Sequence, residues 1–127
     1  VHALGIEKSV LLHGELANPL LPMMAADALL LTSTLEGAPT VVYEARANNL
    51  QVVSTNHPGA IEIAAHLGGC RFHSLSQAPA VWADSLAMAI SEESSEAKLL
   101  SQRETFARSE FNVTVGAEAI AQLWRSA

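Results

Sequence analysis

A short apolar run that stops at two polar residues and is followed by a turn constrains this chain more than any other feature. Ala28–Leu31 ends at Thr32 and Ser33, a Gly-Ala-Pro turn follows, and a helical pattern runs over residues 39–47. An apolar run without alternation is typical of a parallel strand that is covered on both faces. The stretch therefore predicts a strand, a loop and a helix start, the place where open α/β sheets bind ligands.

The same alternation continues along the rest of the chain. Strands are predicted at residues 10–13, 28–32, 50–54 and 70–73, and helices at 19–26, 39–47, 60–67 and 79–91. After a polar loop at 91–95 the pattern is only helical, which predicts two terminal helices. We expect a three-layer, Rossmann-like α/β fold with a parallel sheet and C-terminal helices, built by one domain over residues 1–127.

Two glutamates, Glu36 and Glu44, flank the predicted helix start with seven residues between them. Pro39 suits the first turn of a helix, where free N–H groups and the helix dipole form an anion site. Gly37 lets the backbone approach a ligand closely. Carboxylates beside an anion site are suited to accept hydrogen bonds from hydroxyl groups, such as those of a sugar or ribose. The alternative is that both glutamates only complement the helix dipole.

Composition excludes several classes of partner. The net charge of −6 argues against nucleic acid, whose phosphates need basic surfaces. No apolar stretch approaches the roughly 18 residues of a membrane span. Because Cys70 is the single cysteine, an internal disulfide is ruled out, and we expect a buried, inert thiol and a cytoplasmic location.

Short motifs for other chemistry are missing. The five histidines show neither paired helical spacing nor a cysteine partner, so we predict no metal site. The Gly-x-Gly-x-x-Gly, P-loop and Gly-x-Ser-x-Gly patterns are absent, which argues against a dinucleotide oxidoreductase, an NTPase and a serine hydrolase.

The segment that contains both glutamates, Ser33 to Ala45, resembles the E-(x)7-E segment of retaining glycosyltransferases of the GT-B fold, of the family-4 type. Further segments resemble the family's patterns in the same order and at the same intervals, so that the resemblance covers roughly residues 4–127. They are Leu4-Gly5-Ile6, Val10-Leu11-Leu12-His13-Gly14, Ala25 to Ser33, Val52-Val53-Ser54-Thr55, Gly59-Ala60-Ile61-Glu62-Ile63 and Gly68-Gly69.

Three departures from the family's pattern follow the second glutamate. Asn49 stands where the family has a turn glycine, and asparagine is the best substitute at a left-handed position. Gln51 replaces a proline. His57-Pro58-Gly59-Ala60 stands where a Gly-Gly pair is common, so the loop facing the sugar is expected to differ in shape. We expect His57 on the ligand side of the sheet, where it is either a histidine of the loop surface, which is the favoured interpretation, or a contact to the donor.

The resemblance implies a function and a role for each matching residue. The reaction would transfer a hexose from a nucleotide-diphosphate sugar to a glycan or glycoconjugate with retained configuration, in polysaccharide biosynthesis, with no metal and no other cofactor. Glu36 would contact the transferred sugar near the reacting centre, and Glu44 would bind both ribose hydroxyls. The loop and helix start would present backbone N–H groups to the sugar and the diphosphate; these residues are Gly37, Ala38, Pro39 and Thr40. A further loop would lie along the nucleotide base, and its residues are Gly14, Glu15 and Leu16.

The resemblance also implies an incomplete enzyme. The family's diphosphate-clamping arginine and lysine precede the strand that residues 10–13 resemble, and none of the seven basic residues matches them. The resemblance likewise implies an N-terminal acceptor domain, which we expect to lie outside this chain. We therefore expect no transferase activity from this chain alone, and a strand at 10–13 that lacks its neighbours. Peripheral membrane association of the full-length enzyme is left open. The alternative is a non-catalytic Rossmann or flavodoxin-like domain that serves interaction or regulation.

Overall fold

The computed structural model describes residues 1–92 and 96–126. After a short 3-10 helix at His2–Leu4, its elements are α1 (Leu20–Met24), β1 (Ala28–Leu31), α2 (Thr40–Ala47), β2 (Gln51–Thr55), α3 (Pro58–Leu67), β3 (Cys70–His73), α4 (Pro79–Ser91), α5 (Glu96–Arg108) and α6 (Val113–Ser126). None of the helices in this part of the chain combines the length and the apolar character that a bilayer crossing needs.

The three strands form one parallel sheet in the order β1-β2-β3. Leu30 lies opposite Val53, and Val53 lies opposite Arg71. Parallel neighbours need a crossover connection, and α2 and α3 provide the two crossovers. The α/β fold and the strands predicted around residues 28, 50 and 70 are thereby confirmed.

Both faces of the sheet are covered, as the unalternating strands predict. On one face Val52 packs with Val42 of α2 and Ile63 of α3, and α5 adds Phe106 to this cluster. On the other face Val53 packs against Trp82 of α4. Because Val52 and Val53 are consecutive, they point to opposite faces, and both are fully buried. The result is the expected three-layer arrangement, with β2 at its centre.

The strand predicted at residues 10–13 is wrong. These residues form neither strand nor helix, and the side chains of Leu11 and Leu12 are 75% and 80% exposed. A strand is stable only beside a hydrogen-bonding neighbour. Within the described residues β1 pairs with β2 alone, and no strand lies beside residues 10–13. The local pattern indicates a strand, but nothing in this part of the chain completes its ladder.

Of the smaller predictions about element ends, the one for Asn49 is confirmed and those for the starts of α2 and α3 differ from the structure. Asn49 adopts a left-handed conformation with φ of 63°, as expected of a residue in place of a turn glycine. Pro39 is the N-cap of α2 rather than a residue of its first turn, and Pro58 rather than Ala60 begins α3. The polar loop predicted at 91–95 lies partly outside the described residues, since 93–95 are not among them.

Arg46 of α2 is only 3% exposed, which is rare for arginine. Its guanidinium donates hydrogen bonds to the carbonyl oxygen of Leu50, just beyond α2, and over 3.5 Å to that of Leu67, the last residue of α3. Gly69 lies against the guanidinium, where a Cβ atom would overlap it. Burial lowers the pKa of the Arg46 guanidinium. The side chain therefore ties the C-terminal ends of two helices together.

We expect Arg46→Ala to lower the free energy of unfolding by about 2–4 kcal/mol, because two carbonyl groups lose their donor and a cavity opens. Urea denaturation measures the change. Arg103→Ala, at an exposed position of α5, is the matched control and should change stability by less than about 0.5 kcal/mol. Equal effects of the two substitutions would contradict a structural role for Arg46.

Cys70 at the start of β3 is half-buried rather than fully buried. Burial raises the pKa of its thiol, and nearby Arg46 lowers the pKa by a smaller amount. Since the thiolate is the reactive form, a raised pKa agrees with the predicted inert thiol.

The rate of Cys70 alkylation by iodoacetamide should reach half its maximum at a higher pH in the folded chain than in urea. The reason is that burial raises the pKa in the folded state, so a more alkaline solution is needed to form the thiolate. Mass spectrometry from neutral to alkaline pH follows the reaction without interference from a second thiol. Coincident pH profiles would show that the native environment leaves the thiol unchanged.

Candidate functional site

The carboxyl ends of β1 and β2 lie at the same edge of the sheet because the two strands are parallel. The loop that follows β1 is tied to β2 at this edge, since the Thr55 hydroxyl donates a hydrogen bond of 2.7 Å to the backbone carbonyl of Ser33. The loop after β1 therefore leaves the sheet from a fixed point.

A second contact holds the same loop farther along. Gly59 in the first turn of α3 packs so closely on the backbone of Gly37 and Ala38 that an added Cβ would fall on the Gly37 carbonyl oxygen. Gly59 does not have a positive φ, so the glycine is required for space rather than for conformation. The resemblance placed Gly59 in the family's pattern, but the sequence alone did not reveal this contact.

Helix α2 follows this loop and contains two of the predicted site residues, Thr40 and Glu44. Val42 and Ala45 are fully buried and fix the inner face of the helix. As a result Glu44 is half-buried and Thr40, one turn earlier, is exposed. The Val42 N–H donates to the Pro39 carbonyl at 2.9 Å, so the free donors of the helix start are the N–H groups that precede it.

The structure thus brings six of the predicted residues onto one loop and one helix start at the edge of the sheet. Glu36 is half-buried in the loop, Gly37 and Ala38 are exposed, and Pro39 is buried as the N-cap. Within residues 1–92 and 96–126, neither the Glu36 nor the Glu44 carboxylate has a hydrogen-bond or ion-pair partner. Both are available to a ligand.

The three residues predicted to lie along the base, Gly14, Glu15 and Leu16, are not part of the loop after β1 or of α2. All three are exposed in the irregular segment before α1, and Gly14 has a left-handed φ of 66°. No hydrogen bond among the described residues joins them to the loop after β1. Their placement along a nucleotide base stays a prediction.

His57 differs from its expected place on the loop surface, and that expectation is wrong. It is the N-cap of α3 and only 7% exposed. Its Nδ1 accepts a hydrogen bond of 3.3 Å from the Ala60 N–H, which draws the ring over the first turn of the helix. The position directly before Pro58 and Gly59 is a signal for an N-cap, but histidine is not among the residues usual there.

A second feature reaches the same edge of the sheet, since its lining includes Thr32 after β1 and Leu75 after β3. An apolar groove of about 440 Å³ runs between Leu30 of β1 and Trp82 of α4, on the far face of the sheet from α2. None of the predicted site residues lines it. In the described part of the chain, no three histidine, cysteine, aspartate or glutamate side chains cluster so as to hold a metal ion.

Comparison with protein families decides what kind of domain this edge belongs to. Residues 1–106 of the 127 match the model of a family described as glycosyl transferases group 1. The chain belongs to the group 1 glycosyl transferases. No curated protein and no solved structure matches it significantly.

Membership of the group 1 glycosyl transferases agrees with the resemblance found in the sequence and with the α/β fold. The match spans all three strands and the edge that carries Glu36 and Glu44, and it ends within α5. It favours the glycosyltransferase interpretation over that of a non-catalytic Rossmann domain.

In this group 1 glycosyl transferase, Gly59→Ala should lower the free energy of unfolding by about 1–3 kcal/mol, because the new methyl group needs the space of the Gly37 carbonyl. Gly37→Ala is the matched control, since a Cβ there meets nothing within 4 Å and the backbone is not left-handed. Urea denaturation of both variants, with amide NMR shifts of the loop, tests this. A Gly59→Ala variant as stable as the wild type would refute the packing argument.

Proposed function

We propose that this domain binds the nucleotide-diphosphate sugar of a retaining hexosyltransferase that acts on a glycan or glycoconjugate. The observation that carries the proposal is the loop after β1: two carboxylates without partners flank an exposed helix start at the carboxyl edge of a parallel sheet. Membership of the group 1 glycosyl transferases supports it.

In the proposed complex the start of α2 faces the diphosphate. N–H groups of a helix's first turn have no partner within the helix, and the positive end of its dipole favours an anion. These groups would stabilise negative charge on the leaving nucleotide diphosphate as the bond to the sugar breaks. Exposed Gly37 and Ala38 would let the donor approach the backbone closely.

The two glutamates would recognise the hydroxyl groups on either side of the diphosphate. Glu44 lies four residues after Thr40, about 6 Å farther along the helix axis, and would accept hydrogen bonds from both ribose hydroxyls. Glu36 would hold the hydroxyls of the transferred sugar near the reacting centre. In this proposal retention depends on positioning and charge stabilisation rather than on a covalent intermediate with the protein.

The proposal assigns the acceptor to another domain of the enzyme. The proposal also assigns the arginine and lysine that would clamp the diphosphate to residues that do not lie at this edge of the sheet. Arg46, the basic residue nearest to Glu44 in sequence, is buried against Leu50 and Leu67 at the C-terminal end of α2 and serves the fold. Transfer by this chain alone is therefore not expected, whereas donor binding is.

Glu44→Ala should weaken binding of the preferred nucleoside diphosphate about tenfold or more, because hydrogen bonds between a carboxylate and two hydroxyls are lost. NMR titration with UDP, GDP and ADP identifies the base and gives the affinities. Glu118→Ala, at an exposed position of α6 beyond the family match, is the control and should bind like the wild type.

The 2′-deoxy form of the same nucleotide makes the test specific for ribose. The wild type should bind the 2′-deoxynucleotide more weakly than the ribonucleotide. Glu44→Ala should bind the two nucleotides with equal affinity. If the wild type binds none of the three nucleotides, the proposed donor site is wrong for this chain. If it binds one and Glu44→Ala keeps the full preference for ribose, the role of Glu44 is wrong.

A further inference from the structure

The protonation of the His57 ring follows from its role as a cap. Nδ1 accepts the Ala60 N–H, so this nitrogen carries a lone pair, and in the neutral ring the proton must be on Nε2. Nε2 is buried and has no hydrogen-bond partner among the described residues. His57 therefore holds a buried N–H donor that the described part of the protein leaves unused.

Among the described residues the Nε–H of Arg46 is also a buried donor without a partner, but it lies at the C-terminal end of α2 and not at the edge of the sheet that carries the loop after β1. His73 at the end of β3 is the other histidine to compare. The Nε2 of His73 is also buried without a partner. However, Gln77 Oε1 accepts a hydrogen bond from the Ser74 N–H, which confirms that this atom of the amide is the acceptor. The Nδ1 of His73 lies 3.1 Å from the same oxygen and must therefore be a donor to it. The proton of neutral His73 is then already bonded, and its Nε2 is a lone pair rather than an unused donor.

The unused donor belongs to the edge that carries the proposed donor site. His57 begins the same helix turn whose Gly59 packs on the backbone of Gly37 and Ala38. The helix start adds its positive dipole end at this point. A buried donor without a partner is unfavourable, and a functional partner is one of the recognised reasons for its presence.

We propose that the Nε2–H of His57 donates a hydrogen bond to a phosphate oxygen of the bound nucleotide diphosphate. This inference rests on the proposed function and adds a second helix start, that of α3, to the diphosphate site. Because Nε2 is shielded from solvent without ligand, binding is accompanied by movement of the neighbouring chain.

Two substitutions separate the two nitrogens of the ring. Asparagine places an acceptor near the position of Nδ1, so His57→Asn keeps the cap and removes the Nε2 donor. Glutamine places an amide donor near the position of Nε2, so His57→Gln keeps that donor and loses the cap. His73→Asn is the matched control, since it removes a half-buried histidine with a buried Nε2 at the neighbouring strand end.

The variants are titrated by NMR with UDP, GDP and ADP and with the corresponding free nucleosides, and thermal unfolding is followed in parallel. We expect His57→Asn to unfold like the wild type but to bind the preferred nucleoside diphosphate at least tenfold more weakly, with nucleoside binding unchanged. His57→Gln should unfold at a lower temperature and keep diphosphate affinity within about threefold. His73→Asn should keep the wild-type affinity.

The outcomes distinguish this inference from the proposed function. Failure of the wild type to bind any of the three nucleotides overturns both. Binding by the wild type with equal diphosphate affinity of His57→Asn overturns the role of Nε2 alone. A parallel loss of nucleoside affinity in His57→Asn also overturns it, because the lost contact would then not be to phosphate.

Discussion

The guanidinium of Arg46 is a buried cation that lies at the C-terminal ends of both α2 and α3. Removing a cation from water is costly, and hydrogen bonds to the carbonyl oxygens of Leu50 and Leu67 offset that cost. Leu67 is the last residue of α3, where the helix end carries partial negative charge. Gly69 gives the guanidinium its room. Since both helices begin at the opposite edge of the sheet, anchoring their ends also limits how far their starts can shift.

At that opposite edge the loop after β1 is held by contacts that involve no ligand. The Thr55 hydroxyl fixes its beginning, and the contact of Gly59 with Gly37 fixes its middle. Buried Val42 and Ala45 then set the rotation of α2, which determines where Glu44 points. A ligand meeting such a site loses less free energy to ordering the loop, because folding has already ordered it.

Sequence patterns predicted most of this architecture but not its long-range contacts. The bounds of β3 and α4 are as predicted, because the glycine pair before β3 and the proline at the start of α4 are local signals. The strand prediction for residues 10–13 was wrong because a strand needs a hydrogen-bonding neighbour, and a local sequence pattern does not show whether one is present. The packing of Gly59 was missed for a related reason, since it depends on how two segments far apart in sequence approach in space. The N-cap role of His57 was missed because histidine is not usual at that position.

The contact between Gly59 and Gly37 has a consequence for how the family's sequences diverge. A methyl group at position 59 would displace the backbone of a loop that belongs to another βα unit. Selection on the shape of that loop therefore acts on position 59 even if no substrate touches it. In an evolutionary comparison, invariance at this glycine would report the volume between two helix starts and not a chemical role. Replacements there would be expected only together with changes in the length or path of the loop after β1.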